Sequence, residues 1–206
     1  MATDRETLLA LLAERSVRFG DFVLASGARS SYYVDCRPTT MSAIGQRVIG
    51  RLGLAAIREA GWQPRAVGGL TMGADPVAYA IAAASGDDGD QRPETGDRRS
   101  ENVISDLRSP VSVIDAFSVR KSPKDHGTGK RIEGNFAAGM PVVVVEDVIT
   151  SGGSALDAIA AVRAEGGEVV GVLAVLDRES GGKAKIEAAG VPVVVLVTAS
   201  ELGLRN

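Results

Sequence analysis

Apolar residues recur along this chain in short unbroken runs and in helical spacings, and the order of the two predicts an α/β fold. Residues 142–145 are four consecutive valines with no polar alternation, which fits a central parallel strand buried on both faces. The spacing of apolar positions over residues 155–162 predicts a helix directly after it. Residues 66–70, 111–119, 169–176 and 193–197 supply further strands, with helical stretches joining the last three strands of the chain. The expected architecture is an open, mainly parallel sheet flanked by helices. Upstream, Thr3 and Glu6 form a capping box ahead of Leu8, Leu9, Leu11 and Leu12, so the chain opens with an amphipathic N-terminal helix. Residues 19–24 and 31–35 then predict a β-ribbon hood across the turn-rich residues 25–30. Ser42 caps a helix ending near Gly61, and Asp75-Pro76 reads as an N-cap followed by proline at the first helical position.

One stretch breaks this rhythm. Residues 85–109 carry Gly86-Asp87-Asp88-Gly89-Asp90, Pro93 and Gly96-Asp97-Arg98-Arg99 among few apolar residues, a composition that buries too little surface to order itself. It reads as a mobile surface insertion in a single domain spanning residues 1–206. With 23 Lys and Arg against 26 Asp and Glu, the net charge of -3 offers no basic field for nucleic acid or lipid, so a small-molecule substrate is expected. Runs long enough to span a membrane are absent from the sequence, and Met1-Ala2-Thr3-Asp4-Arg5-Glu6 lacks the layout of a signal peptide. The lone Cys36 excludes an internal disulfide framework and reads as a packed thiol, so a cytoplasmic location is expected.

Candidate chemistry gathers at the predicted strand ends. After the valines comes Glu146-Asp147-Val148-Ile149-Thr150-Ser151-Gly152-Gly153-Ser154, two acids and a Thr/Ser/Gly-rich loop opening a helix. Backbone N–H groups from Thr150 to Ser154 and the positive end of the helix dipole suit a phosphate, while the glycines allow close backbone approach. Two carboxylates would repel that phosphate, so Glu146 and Asp147 are assigned to ribose hydroxyls, directly or around Mg2+. A second constellation, Arg120-Lys121-Ser122-Pro123-Lys124-Asp125-His126-Gly127, is a basic, Pro-broken loop at another strand end. Arg120, Lys121, Lys124 and His126 can together neutralise a pyrophosphate that gains charge as its bond to a sugar breaks; the alternative is a solvated basic loop. Arg178, at a third strand end, can bind a carboxylate bidentately or pair on the surface with Asp177 or Glu179. Neither a Gly-Lys-Ser/Thr phosphate loop nor a Gly-x-Gly-x-x-Gly pattern is present.

The strand, acids and Gly-rich turn over residues 142–154 resemble the phosphoribosyl pyrophosphate (PRPP) motif of type I phosphoribosyltransferases. Residues 120–127 look like the catalytic loop of the orotate phosphoribosyltransferase family, and the resemblance extends to Phe22-Val23-Leu24-Ala25-Ser26-Gly27, Ser31-Tyr32-Tyr33-Val34-Asp35, Gly68-Gly69 and Leu176-Asp177-Arg178. It spans nearly the whole chain outside residues 85–109. The resemblance implies transfer of a phosphoribosyl group from PRPP to orotate in pyrimidine synthesis, with Arg120, Lys124, His126 and Asp147 catalytic. It further implies PRPP binding by Arg120, Lys121, Lys124, His126 and residues 146–154, and orotate binding by Thr150 and Arg178. Mg2+ is implied as the cofactor, held through ribose and pyrophosphate oxygens and not by a dedicated protein metal site. A homodimer is implied too, with Arg120 and its neighbours reaching across the interface, and neither nucleic acid nor membrane as partner. Many family members have Lys where this chain has Ala25, and Tyr-Lys where it has Met72-Gly73.

Overall fold

The computed structural model describes residues 2–23, 29–89, 113–122 and 130–204. Helix α1, Asp4–Arg15, starts where the capping box predicts: Thr3 Oγ1 accepts from the Glu6 N–H at 3.2 Å and the Glu6 carboxylate accepts from the Thr3 N–H at 2.7 Å. Strands β1, Val17–Val23, and β2, Arg29–Val34, pair antiparallel as the expected ribbon. Exposure alternates along β2, so Ser30, Tyr32 and Val34 face inward while Tyr33 faces out. The short helix α2, Arg37–Thr40, leads to α3, Ala43–Glu59, whose N-cap Ser42 accepts from the Gly45 N–H at 3.1 Å.

The remaining elements are β3, Ala66–Leu70; α4, Ala74–Gly89; β4, Asp115–Val119; β5, Ile132–Gly134; β6, Pro141–Ile149; α5, Gly153–Ala164; β7, Glu168–Asp177; α6, Gly182–Ala188; and β8, Val193–Thr198, followed by a 3-10 turn over Ser200–Leu202. They build one six-stranded sheet in the order β5-β4-β3-β6-β7-β8, parallel throughout except for the antiparallel edge strand β5. Val143 and Val145 pack into one core with α1, α3 and α4, whereas Val142 and Val144 pack into the other with α5 and α6. Both faces of β6 are therefore dry, which is why its sequence does not alternate. Each such buried valine contributes on the order of 2 kcal/mol relative to exposure.

Topology fixes where a ligand can sit. From β3 the chain moves to β4 on one side, and from β6 it moves to β7 and β8 on the other. The segments leaving β3 and β6 thus run to opposite faces and leave a crevice between them at the carboxyl edge. Two glycines of β3 make room for its neighbours: a Cβ on Gly68 would lie 2.2 Å from the Phe117 carbonyl oxygen, and one on Gly69 2.2 Å from that of Val145.

Three expectations are corrected, and one strand was not foreseen. Helix α4 begins at Ala74, so Asp75 lies inside its first turn and is not its cap; its carboxylate accepts instead from the Ser118 hydroxyl at 2.7 Å. The helix also runs through residues 85–89, because Ser85 is buried and its hydroxyl accepts from the Ile114 N–H at 2.9 Å. The rest of the expected insertion, and residues 111–112 of the expected fourth strand, lie outside the described residues. The basic segment ends in a strand, β5, because Ile132 is only 6% exposed and packs beside Phe117 and Val119. Finally, β6 extends beyond the valines to Ile149, so both acids stand within the strand and not after it.

Gly69→Ala should lower the unfolding free energy by about 1–3 kcal/mol, since a backbone carbonyl, which cannot rotate away, blocks the new methyl. Urea titration followed by the fluorescence of Trp62, the only tryptophan, measures it; an unchanged midpoint would show that β3 and β6 can separate freely.

Candidate functional site

Segments leaving β3, β4, β6 and β7 meet at the carboxyl edge. A cavity of about 230 Å3 is lined by residues 146–155, the acids and the Gly-rich loop together. Gly152 adopts φ 75°, a left-handed conformation that glycine takes without strain, and a Cβ there would also meet the Gly182 carbonyl oxygen at 2.8 Å. No side chain caps α5, so its first N–H groups face the cavity with the helix dipole behind them, an arrangement suited to a phosphate.

A second cavity, of about 270 Å3, shares Glu146, Asp147, Val148 and Ser154 with the first and continues to Tyr33, Asp35, Arg37, Met72, Gly73 and Lys121. Thr71 borders it and also, with Arg120, Lys121 and Ser122, a third. Of the expected basic residues, Arg120 and Lys121 are thus brought to the acids' side of the sheet; Lys124 and His126 lie outside the described residues, as does Ala25. Arg120 also stands 3.8 Å from Glu133.

The two acids differ sharply from exposed carboxylates. Glu146 is 5% exposed, and its Oε1 has no hydrogen-bond partner among the described residues. Burial, reinforced by the neighbouring Asp147, pushes its pKa up to about 8. Asp147 is raised too, chiefly by burial and further by Asp35, although the Val148 N–H at 2.9 Å and the nearby Arg37 oppose the shift. Its Oδ1 lies only 2.6 Å from where a Cβ on Gly73 would stand, so the loop after β3 is pressed against this carboxylate.

Arg178 is the least expected geometry. It is 5% exposed, its guanidinium lies 4.8 Å from the centre of the Tyr32 ring, and its Nε and Nη2 are buried without a partner among the described residues. The surface ion pair is not formed: Asp177 accepts from the Glu179 N–H at 2.9 Å, and Glu179 accepts from the Ser200 N–H at 2.6 Å. A buried cation with free donors is costly, and a planar anion entering beside Tyr32 would satisfy it. The Arg178 N–H bonds the Ile149 carbonyl at 2.9 Å, which ties β7 to β6 one residue before Thr150.

Sequence reasoning missed the Asp35–Arg37 pair on the second cavity. Asp35 accepts from Arg37 Nε at 2.8 Å, Nη2 at 2.9 Å and the backbone N–H at 3.0 Å, which holds its carboxyl below the usual range. Its only signal was an acid two residues before an arginine at a strand end. Cys36 between them is fully buried, packed as expected, with its thiol held well above the ordinary range by burial. Among the described residues no cluster of three or more His, Cys, Asp or Glu could hold a metal ion.

The family model described as phosphoribosyl transferase domain matches residues 42–193. The orotate phosphoribosyltransferase of Rhodopirellula baltica is 41% identical over 206 residues, spanning 98% of this chain and 95% of that protein. That of Aquifex aeolicus is 42% identical over 202 residues, spanning 97% of each. Among solved structures, the orotate phosphoribosyltransferase of Mycobacterium tuberculosis H37Rv in complex with PRPP superposes with a TM-score of 0.72 at 38% identity, covering 98% of this chain and 100% of that one.

The raised pKa of Glu146 sets a pH dependence of stability. Its folded pKa exceeds the unfolded value of 4.5, so folding takes up a proton between the two and stability falls as pH rises from about 4.5 through about 8. Glu146→Gln removes that titration. Urea unfolding should find the variant close to the parent at pH 5 and more stable at pH 9 by several kcal/mol. Parallel stability curves for the two proteins would refute the buried, protonated carboxyl.

Proposed function

The chain belongs to the phosphoribosyltransferase family, and within it to the orotate phosphoribosyltransferases, and from that membership we propose how its residues carry the reaction. The 5-phosphoribosyl group of PRPP is transferred to orotate, giving orotidine 5'-phosphate and pyrophosphate, in de novo pyrimidine synthesis. The observation that carries the choice of base is Arg178: a buried guanidinium with unpaired donors beside an aromatic face suits a planar, carboxylate-bearing ring. Purine and uracil carry no such group.

In this reading the α5 N-terminus and residues 150–154 hold the 5'-phosphate. Glu146 and Asp147 bind the ribose hydroxyls, and Glu146, protonated at neutral pH in the ligand-free chain, can donate as well as accept. Thr150 and Arg178 hold orotate with its ring nitrogen toward the ribose C1. As the bond from C1 to the pyrophosphate oxygen breaks, the electron pair leaves with the pyrophosphate and positive charge develops on the ribose. Arg120, Lys121, Lys124 and His126 neutralise the leaving anion, and the ring nitrogen of orotate supplies the electron pair of the new bond while its N–H proton passes to an oxygen of the departing pyrophosphate. Asp147 faces the ribose side, where its charge favours the developing cation.

Mg2+ fits the donor set: Glu146 Oε1 and the Asp147 carboxylate are hard oxygens at the cavity, and one is unpartnered among the described residues. Held beside these acids it would supply charge neutralisation of the leaving group. A homodimer sharing its sites, with Arg120 serving the partner subunit's PRPP, and a cytoplasmic location complete the proposal; no helix among the described residues is long and apolar enough to cross a membrane.

Arg178→Ala should raise the KM for orotate by roughly 10–100-fold, the value of a charge-assisted bidentate contact, and change that for PRPP by less than about threefold. Steady-state kinetics with both substrates varied, alongside a panel of bases, decides it. Equal loss for both substrates, or equal use of uracil, would refute the assignment.

Site sharing is tested by mixing. Arg120→Ala and Asp147→Asn proteins, each nearly inactive, should regain roughly a quarter of parental activity after subunit exchange at equal amounts, because about half the dimers are mixed and each contains one undamaged site. No recovery after verified exchange would place Arg120 in its own subunit's site.

A further inference from the structure

The side chain that binds both legs of the basic segment to the phosphate helix is Arg131, to which no role has so far been assigned. Its Nε and Nη2 donate to the Arg120 carbonyl at 3.1 and 3.0 Å, and Nη2 reaches the Lys121 carbonyl at 3.4 Å. The same guanidinium donates to both oxygens of Asp157 on α5, at 3.1 and 2.8 Å. Its backbone completes the junction: the Arg120 N–H bonds the Arg131 carbonyl at 2.8 Å, and the Arg131 N–H bonds the Glu165 carboxylate at 2.9 Å. Arg131 is three-quarters buried, with 24% of its side chain exposed.

We propose that Arg131 is a positioning residue for PRPP, holding the backbone of Arg120 and Lys121 in fixed register with α5, the helix whose N-terminus takes the phosphate. This rests on the reading above that Arg120 and Lys121 act on PRPP, and it holds whichever subunit's PRPP they serve. The guanidinium is suited to the task because one rigid fork meets two carbonyls and a carboxylate at once, which the single point charge of lysine cannot do. Without the junction the two cations keep their charge but lose their place.

The test is a kinetic double-mutant cycle on the full chain. Arg131→Ala should raise the KM for PRPP roughly tenfold with a fall in kcat, leave that for orotate within about twofold, and keep a near-parental melting temperature. Arg131→Lys should behave like Arg131→Ala, and Arg131→Ala combined with Asp157→Ala should be no worse than Arg131→Ala alone, since the two side chains act through one junction. Should Arg131→Ala not fold, Arg131→Lys and Asp157→Ala carry the same comparison. Loss shared equally by both substrates and tracking the melting temperature, additive losses in the double variant, or full rescue by lysine would each overturn the proposal. Arg120→Ala measured alongside separates the two levels: if it leaves PRPP kinetics intact, the reading of the loop fails; if it impairs them while Arg131→Ala does not, only the positioning role fails.

Discussion

Val142 and Val144 press into the core under α5 and α6 while Val143 and Val145 press into the core under α3 and α4, so β6 has no wet face along its valines. The acids that continue this strand inherit its dryness. A carboxylate placed there loses its water, and the loss appears as the pKa of about 8 at Glu146 and the smaller upward pressure on Asp147. Had β6 ended at Val145, as a turn before the acids would require, both would have stood in solvent. The burial that makes the sheet stable is therefore also what prepares the two acids at the cavity. Structure and chemistry share one strand.

The opposite sign of the same constraint acts at β7. Arg178 follows a strand of buried residues, and its backbone is tied to Ile149, so its side chain has nowhere to go but under the hood, against Tyr32. There its Nε and Nη2 are buried with no partner among the described residues. Raised acids on one side of the crevice and an unpaired guanidinium on the other are both unfavourable in the empty protein. Each becomes favourable with a ligand that brings hydroxyls to one and a carboxylate to the other, so the polarity of the cleft orients what enters it.

What could be read from residues alone follows from how local the cause was. The valine run, the capping box of Thr3 and Glu6 and the Gly-rich loop each announce themselves within a few positions, and each was found in place. The elements missed depend on distant partners. Ile132 is a strand residue because Phe117 and Val119 lie beside it, and a three-residue edge strand is too short to show a period. Ser85 belongs to a helix because Ile114 reaches its hydroxyl, although the glycines and aspartates after it read as a loop. The same holds at the site: that Arg178 is buried depends on Tyr32, and that Asp35 fixes Arg37 toward the cavity depends on how β2 ends. The sequence names the groups; their burial comes from the fold.

That distinction bears on Met72 and Gly73 in the loop after β3. The loop after β3 passes so near Asp147 that a Cβ at position 73 would stand 2.6 Å from its Oδ1. Glycine and this placement of the carboxylate therefore imply one another, and a longer side chain at position 73 would have to displace Asp147. Positive charge nonetheless borders the same cavity, from Lys121 just after β4 and from Arg37 at the start of α2. Arg37 is close enough to oppose the upward shift of Asp147, and Asp35 holds its guanidinium by two hydrogen bonds that fix its orientation. The balance of charge around the two acids is thus set from the segments that follow β4 and β2, and the loop after β3 contributes space instead.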